Sequence, residues 1–261
     1  MTIGGIVLHD LHIEDLRNPL HPSTFEEHEE YRIMILSLPE KIKHNPTIRP
    51  YGFILTDETI YYYDPKEARL TPLAEGLHEM YRFLDSKIDP IMADIDNVSE
   101  KIIFLEESLY KKVSRAFMKH WHELKKELSR TERVLRKAVD VLERFIYKTA
   151  GTDHFPINEF RDVHEHLERT LRSVIAANEQ LDNLYQYYNL RSGDRLNRSI
   201  YILTVISVIF LPLNLVVGFF GMNTGGLPFQ DHPAGTAYAF VTMILFALAL
   251  AAVILWKIKK E

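Results

Sequence analysis

The chain has 261 residues, a formal net charge of −5 and no cysteine. The mild acidic balance argues against a nucleic-acid binder, and without cysteine neither a disulfide nor a thiolate metal site is possible. Charge is unevenly spread: residues 1–198 are dense in it, whereas Ser199–Gln230 and His232–Trp256 contain no Asp, Glu, Lys or Arg.

The opening MTIGGIVLHDLHIEDL lacks a basic start and carries acids early, which is not the pattern of a secretory signal. Glu30–Leu38, Pro50–Thr56 and Thr59–Asp64 are β-rich and bounded by Pro, Asn and Asp, with Asp57-Glu58 suited to a tight hairpin. Residues 1–72 therefore read as a small cytoplasmic α/β region, too small for a substantial core of its own. From about Leu73 to Ala150 apolar residues recur at three and four with dense charge between, the pattern of helices. Pro90 is expected to kink the first, and a boundary is expected near Lys111–Ser114. Gly151–Pro156 reads as a loop. A helix restarts at Pro156–Glu159 and meets only Gly193 and Pro212 as breakers before Phe220. Unbroken, it would be a rod of about 97 Å. Residues 73–198 form the expected cytoplasmic stalk.

Two membrane spans follow. Ser199–Phe220 is 22 residues without charge, a helix of about 33 Å against a hydrocarbon core of about 30 Å. Ala237–Trp256 is a second such run. Arg191, Arg195 and Arg198 precede the first, Lys257, Lys259 and Lys260 follow the second, and the link between them has no Lys or Arg. The positive-inside rule then places both termini in the cytoplasm and the link outside. Residues 199–256 are the expected hairpin and 257–261 a basic tail. The fold class is α+β: a short β-rich piece, long stalk helices and two C-terminal transmembrane helices.

Within the first span Asn197, Ile200, Thr204, Ser207, Leu211, Asn214 and Gly218 recur at three or four and share a helical face. Polar side chains in a spanning helix usually face a bundle interior or a water-filled path. For Thr204 and Ser207 a hydrogen bond to the backbone one turn back is an equal alternative. The link opens with FFGMNTGGLPF, in which Gly221 allows the helix end to turn sharply.

Asn197 through Asn223, NRSIYILTVISVIFLPLNLVVGFFGMN, followed by one more span and a Lys-rich tail, resembles the CorA superfamily of divalent-cation channels and transporters. The resemblance covers roughly Leu73–Glu261. It implies a homopentamer with a funnel-shaped cytoplasmic domain and a pore lined by five first spans. Asn197, Ser207, Leu211, Asn214, Gly218 and Asn223 then fall at pore-lining positions, with Leu211 and neighbouring Leu203 as apolar constrictions. Gly221, Met222 and Asn223 would form the selectivity filter, five Asn223 amides making a neutral ring that hydrogen-bonds the shell of a hydrated cation. Asp231 would add an entrance charge, or stand as a solvated loop acid. The GG-x-P continuation after GMN, and Asn-Arg before the span, are similar to the zinc-transporting ZntB branch.

Phe160–His166, FRDVHEH, resembles the family's stalk segment in which an acid holds a regulatory cation between subunits. Asp162 would be that acid, with Glu165 and His166 nearby, and Asp162 and His166 share a face at i and i+4. Asp85, Asp89, Asp94 and Asp96 are the candidate partners. A solvated helix face is the plain alternative. No nucleophile elbow, P-loop or dinucleotide fingerprint is present, so no enzyme is expected. The expectation is a multi-pass inner (plasma) membrane protein whose partners are its own copies, the bilayer and hydrated divalent cations, without nucleic acid. It needs no cofactor beyond the transported or regulatory ion, Zn²⁺ or Mg²⁺, with Co²⁺ or Ni²⁺ as further candidates. The rival expectations are a membrane-anchored assembly or signalling protein and a non-selective, tension-responsive channel.

Overall fold

The computed structural model describes residues 2–3, 6–41, 47–111, 115–152, 154–222, 226–228 and 231–258. Its elements are β1 (Thr2–Ile3), β2 (Ile6–Val7), α1 (Asp10–Arg17), β3 (Thr24–Glu27), β4 (Arg32–Lys41), β5 (Thr47–Leu55), β6 (Ile60–Asp64), β7 (Arg69–Pro72), α2 (Leu77–Lys111), α3 (Arg115–Thr149), α4 (Ile157–Phe220) and α5 (Gly235–Ile258). The chain divides into two compact units, Met1–Tyr188 and Asn189–Glu261.

In the first unit β3 to β7 form one antiparallel sheet in chain order. The hairpin expected at Asp57-Glu58 joins β5 to β6: the Thr56 N–H donates to the Thr59 carbonyl at 3.0 Å, and the Thr59 N–H to Thr56 Oγ1 at 3.0 Å. Successive side chains of β4 point to opposite faces. Ile33 and Ile35 join Leu8, Ile13, Leu16, Ile54 and Tyr63 in a small core under α1. Met34, Leu36 and Leu38 join Phe53, Leu55 and the stalk helices in the main core. A strand covered on both faces reads as an unbroken apolar run, which is why Ile33–Leu36 shows no alternation. The small β-rich region thus obtains most of its core from α2 and α3, both of which pack on β4.

Gly52 on β5 is required by a close approach. A Cβ there would lie 2.3 Å from Leu16 Cδ2 of α1.

The stalk helices bury seams with a period near 3.5 residues. On α2 these are Met80, Leu84, Ile88, Ile91, Ile95, Val98 and Ile102; on α4 they are Phe160, Val163, Leu167, Leu171, Val174, Leu181 and Leu184. Each such side chain contributes roughly 1.5 to 3 kcal/mol on leaving water. Polar ties fix the seam between α3 and α4. Trp121 Nε1–H donates to the Leu181 carbonyl at 2.8 Å, and Lys125 Nζ sits 2.8 Å from Asp182. Pro90 lies inside α2 and Pro212 inside α4. The break expected near Lys111–Ser114 falls between α2 and α3, with residues 112–114 outside the described ones.

The second unit holds the C-terminal part of α4 and α5. Among the described residues α4 is the one helix long and apolar enough to cross a membrane, and α5 has a shorter apolar stretch, Gly235–Ala249. On α4 the half-buried positions Val205, Ile209, Pro212, Leu213 and Val216 make one row; on α5 Gly235, Ala239, Met243 and Ala247 make another. At 3.6 residues per turn the α4 row lies opposite Asn197, Thr204, Leu211 and Asn214.

Candidate functional site

The first turns of α4 are fixed by aromatic packing. The Phe160 N–H donates to the Pro156 carbonyl at 3.2 Å, starting the helix directly after the proline. Its ring, fully buried, stacks on Phe155 at 5.2 Å and meets Phe145 of α3 edge-on at 5.2 Å. Val163 and Leu167 continue that buried face, which leaves Asp162 and His166 at the rim toward α2.

There His166 Nδ1 lies 3.4 Å from Asp85 Oδ1, and His166 Nε2 lies 3.8 Å from Asp162 Oδ1. Asp85, Asp89 and His166 each offer a ligand atom, all within 4.8 Å of one another. Asp85 Oδ1 and His166 Nδ1 are buried atoms without a hydrogen-bond partner. A buried polar atom left unpaired is costly, and a cation seated between them would offset that cost. Carboxylates and one imidazole suit Zn²⁺ or Co²⁺, and the oxygens also suit Mg²⁺. Of the four candidate acids, Asp85 and Asp89 meet His166; Asp94 and Asp96 are not in the group. Glu165 turns the other way and pairs with Arg169 at 2.8 Å. The sequence signal for the α2 half was the i, i+4 spacing of Asp85 and Asp89, which by itself does not say what faces it.

In the spanning segment Asn197, Leu203, Thr204, Leu211, Asn214 and Gly218 are exposed within the single chain, as is Ile200, while Ser207 is half-buried. Thr204 Oγ1 donates to the Ile200 carbonyl at 2.9 Å, so its hydroxyl is satisfied within its own helix. Past the helix end the Gly221 N–H donates to the Val217 carbonyl at 2.8 Å and the Met222 N–H to Phe219 at 3.3 Å. Among the described residues of the link the left-handed backbone falls at Gly226, with φ of 86°, and not at Gly221. At Gly221 the constraint is space: a Cβ would lie 3.1 Å from the Val217 carbonyl oxygen. Asn223 lies outside the described residues. Asp231 is exposed, and beside it His232 Nδ1 accepts the Ala234 N–H at 3.1 Å, just before α5.

A carboxylate–imidazole cluster on the long helices, and a membrane-length apolar helix with a polar row, are features suited to a membrane-bound transporter of metal ions. The sequence profile of the CorA-like Mg²⁺ transporter protein family matches residues 7–260, and the chain belongs to that family. The family is one of transporters and not of enzymes. The chain is similar to the cobalt/magnesium transport protein CorA of Thermotoga maritima, 24% identical over 97% of this chain and 76% of that one. It is also similar to the zinc transport protein ZntB of Pectobacterium carotovorum, 25% identical over 68% of this chain and 53% of that one. In fold it matches the CorA magnesium transporter of Methanocaldococcus jannaschii with a TM-score of 0.77, at 19% identity, over 95% of this chain and 83% of the other.

Proposed function

We propose that the protein conducts divalent metal cations across the inner membrane through a pore built from five copies of the chain. The observation that carries this reading is the row Asn197, Ile200, Leu203, Thr204, Ser207, Leu211, Asn214 and Gly218 on α4. Apart from the half-buried Ser207, these positions are exposed in the single chain and lie opposite the half-covered row, in the helix long enough to span. Asparagine amides facing lipid are expensive, whereas five copies turned to a common axis would hydrate them. Leu203 and Leu211 then close the path by dewetting. At the outer mouth Gly221, Met222 and Asn223 form the filter, the Asn223 amides bonding to the shell of a hydrated ion, and Asp231 draws cations in. This row contains neither His nor Cys, so Zn²⁺, Mg²⁺, Co²⁺ and Ni²⁺ pass hydrated and are discriminated loosely. The cytoplasmic parts are the β-rich region 1–72, the stalk 73–198 and the tail 257–261, with residues 199–256 as the pore hairpin.

Asp85, Asp89, Asp162 and His166 hold a regulatory divalent cation. When they lose it, the acids repel one another, and that repulsion favours an open pore.

The test is divalent-cation flux into liposomes containing the purified protein, with Mg²⁺ and Zn²⁺ compared. Flux in the wild type that collapses in Asn223→Ala supports the filter. Wild-type protein that moves neither ion overturns the transport reading.

A further inference from the structure

Within the first unit a groove of about 630 Å³ runs between α3 and β3. Small-molecule sites occupy about 300 to 1,000 Å³. Residues 21–26 form one side and α3 the other. Its base is apolar and fixed: Phe25 and Val141 are buried, and the Phe25 ring meets Phe145 edge-on at 5.6 Å. Beyond Phe25, Lys148 Nζ reaches Glu27 Oε2 at 3.0 Å and ties β3 to α3.

The α3 side is cationic. Arg133, Arg136, Lys137 and Arg144 line the groove, against Glu26 and Asp140 as acids. Arg136 is held by Glu132, one turn back, at 2.7 Å. Glu26 has its Oε2 3.4 Å from His12 Nε2, while its Oε1 accepts the Thr24 hydroxyl at 3.2 Å. Arg133, Lys137 and Arg144 form no ion pair among the described residues, and Asp140, between the last two, pairs with neither. At i, i+4 and i+11 the three cations fall within about 40° of one another around the helix. Like charges one turn apart repel, and an anion along the row relieves that repulsion.

The spacing sets the length of the anion. Arg133 and Lys137 can close on one phosphate group, the guanidinium as a forked donor and the ammonium as a point charge. Arg144 stands about 10 Å further along the axis than Lys137. A single phosphate cannot sit at both ends of that row, whereas a chain of two or three can.

We propose that this groove binds an oligophosphate, either an inorganic chain or the triphosphate of a nucleotide, through Arg133, Lys137 and Arg144. The site shares no residue with Asp85, Asp89 and His166. It goes beyond the transport reading and does not depend on it.

The experiment uses the full chain in detergent, freed of metal, at about 0.1 M salt, where exposed charges further apart than about 10 Å are screened. Isothermal titration calorimetry compares sodium tripolyphosphate, orthophosphate and ATP. Tripolyphosphate should bind once per protomer, about tenfold or more tighter than orthophosphate. Arg133→Gln with Lys137→Gln should weaken both by about tenfold or more. Arg144→Gln should weaken tripolyphosphate and leave orthophosphate unchanged, while Asp140→Asn should tighten both. All four positions are exposed, so circular dichroism should not change. ATP binding tighter than tripolyphosphate supports the proposal with a nucleotide as the ligand; the reverse order supports it with the inorganic chain. Failure of tripolyphosphate to bind the wild type would overturn the proposal. So would undiminished binding after Arg133→Gln with Lys137→Gln, which would assign the anion to basic residues elsewhere. Equal competition by hexaglutamate would overturn it too, making the groove a surface for acidic peptides.

Discussion

His166 Nδ1 stands 3.4 Å from Asp85 Oδ1, and both atoms are buried without a hydrogen-bond partner. The two come from α4 and α2, so an ion held between them would couple two stalk helices. Mg²⁺ at a hundredfold excess over its Kd should stabilise the wild type by about 2.7 kcal/mol. In Asp85→Asn with His166→Gln most of that gain should disappear. Thermal denaturation with and without Mg²⁺ measures it. Equal Mg²⁺ protection in the variant would remove the stalk cluster as a cation site.

Phe145 is fully buried and touches Phe25 at 5.6 Å, Phe155 at 5.9 Å and Phe160 at 5.2 Å. It therefore joins the sheet, the loop before α4 and α4 itself. Phe145→Ala should cost about 3 to 5 kcal/mol, the transfer of the ring plus the cavity it leaves. Urea denaturation of the detergent-solubilised protein measures the loss. Because Phe160 sets the first turns of α4, Mg²⁺ binding should weaken in the same variant.

Gly52→Ala should destabilise by about 1 to 3 kcal/mol, since its methyl group would press on the Leu16 side chain in a packed core. Leu16→Ala alone should also destabilise, by opening a cavity. The double variant should be less damaged than the sum of the two, and denaturation of all four proteins in a double-mutant cycle reads that coupling.

Burial pushes the Tyr51 phenol up from 10.0 to about 12, with the Arg49 guanidinium nearby opposing it. Tyr62 shifts upward for the same first cause. Raised in the folded state, Tyr51 contributes stability that is fully present below its unfolded value of about 10. That contribution is lost as pH rises to about 12. The urea midpoint should fall through that window, and Tyr51→Phe should flatten the decline.

Much of the architecture was legible because it is written in long patterns. The charge-free Ser199–Phe220 run, the stalk helices and the Asp57-Glu58 hairpin each have a local physical cause. β3, β7 and α1 were missed: four, four and eight residues are too few to show a period. The core of the β-rich region was underestimated for a different reason, since Met34 and Leu36 are buried against α2 and α3 from a later stretch of chain. Asp162 and His166 share a helix face by spacing alone, whereas which of Asp85, Asp89, Asp94 and Asp96 lies near His166 depends on how α2 meets α4, which no linear pattern states.

Pro90 has one more effect. It has no amide hydrogen, so the Ser86 carbonyl cannot receive the usual rung from four residues ahead. α2 is therefore softest to bending at the turn that bears Asp85 and Asp89. An ion tying that turn to His166 would act as a splint across a weak joint, and its departure would leave the helix free to bend at that point.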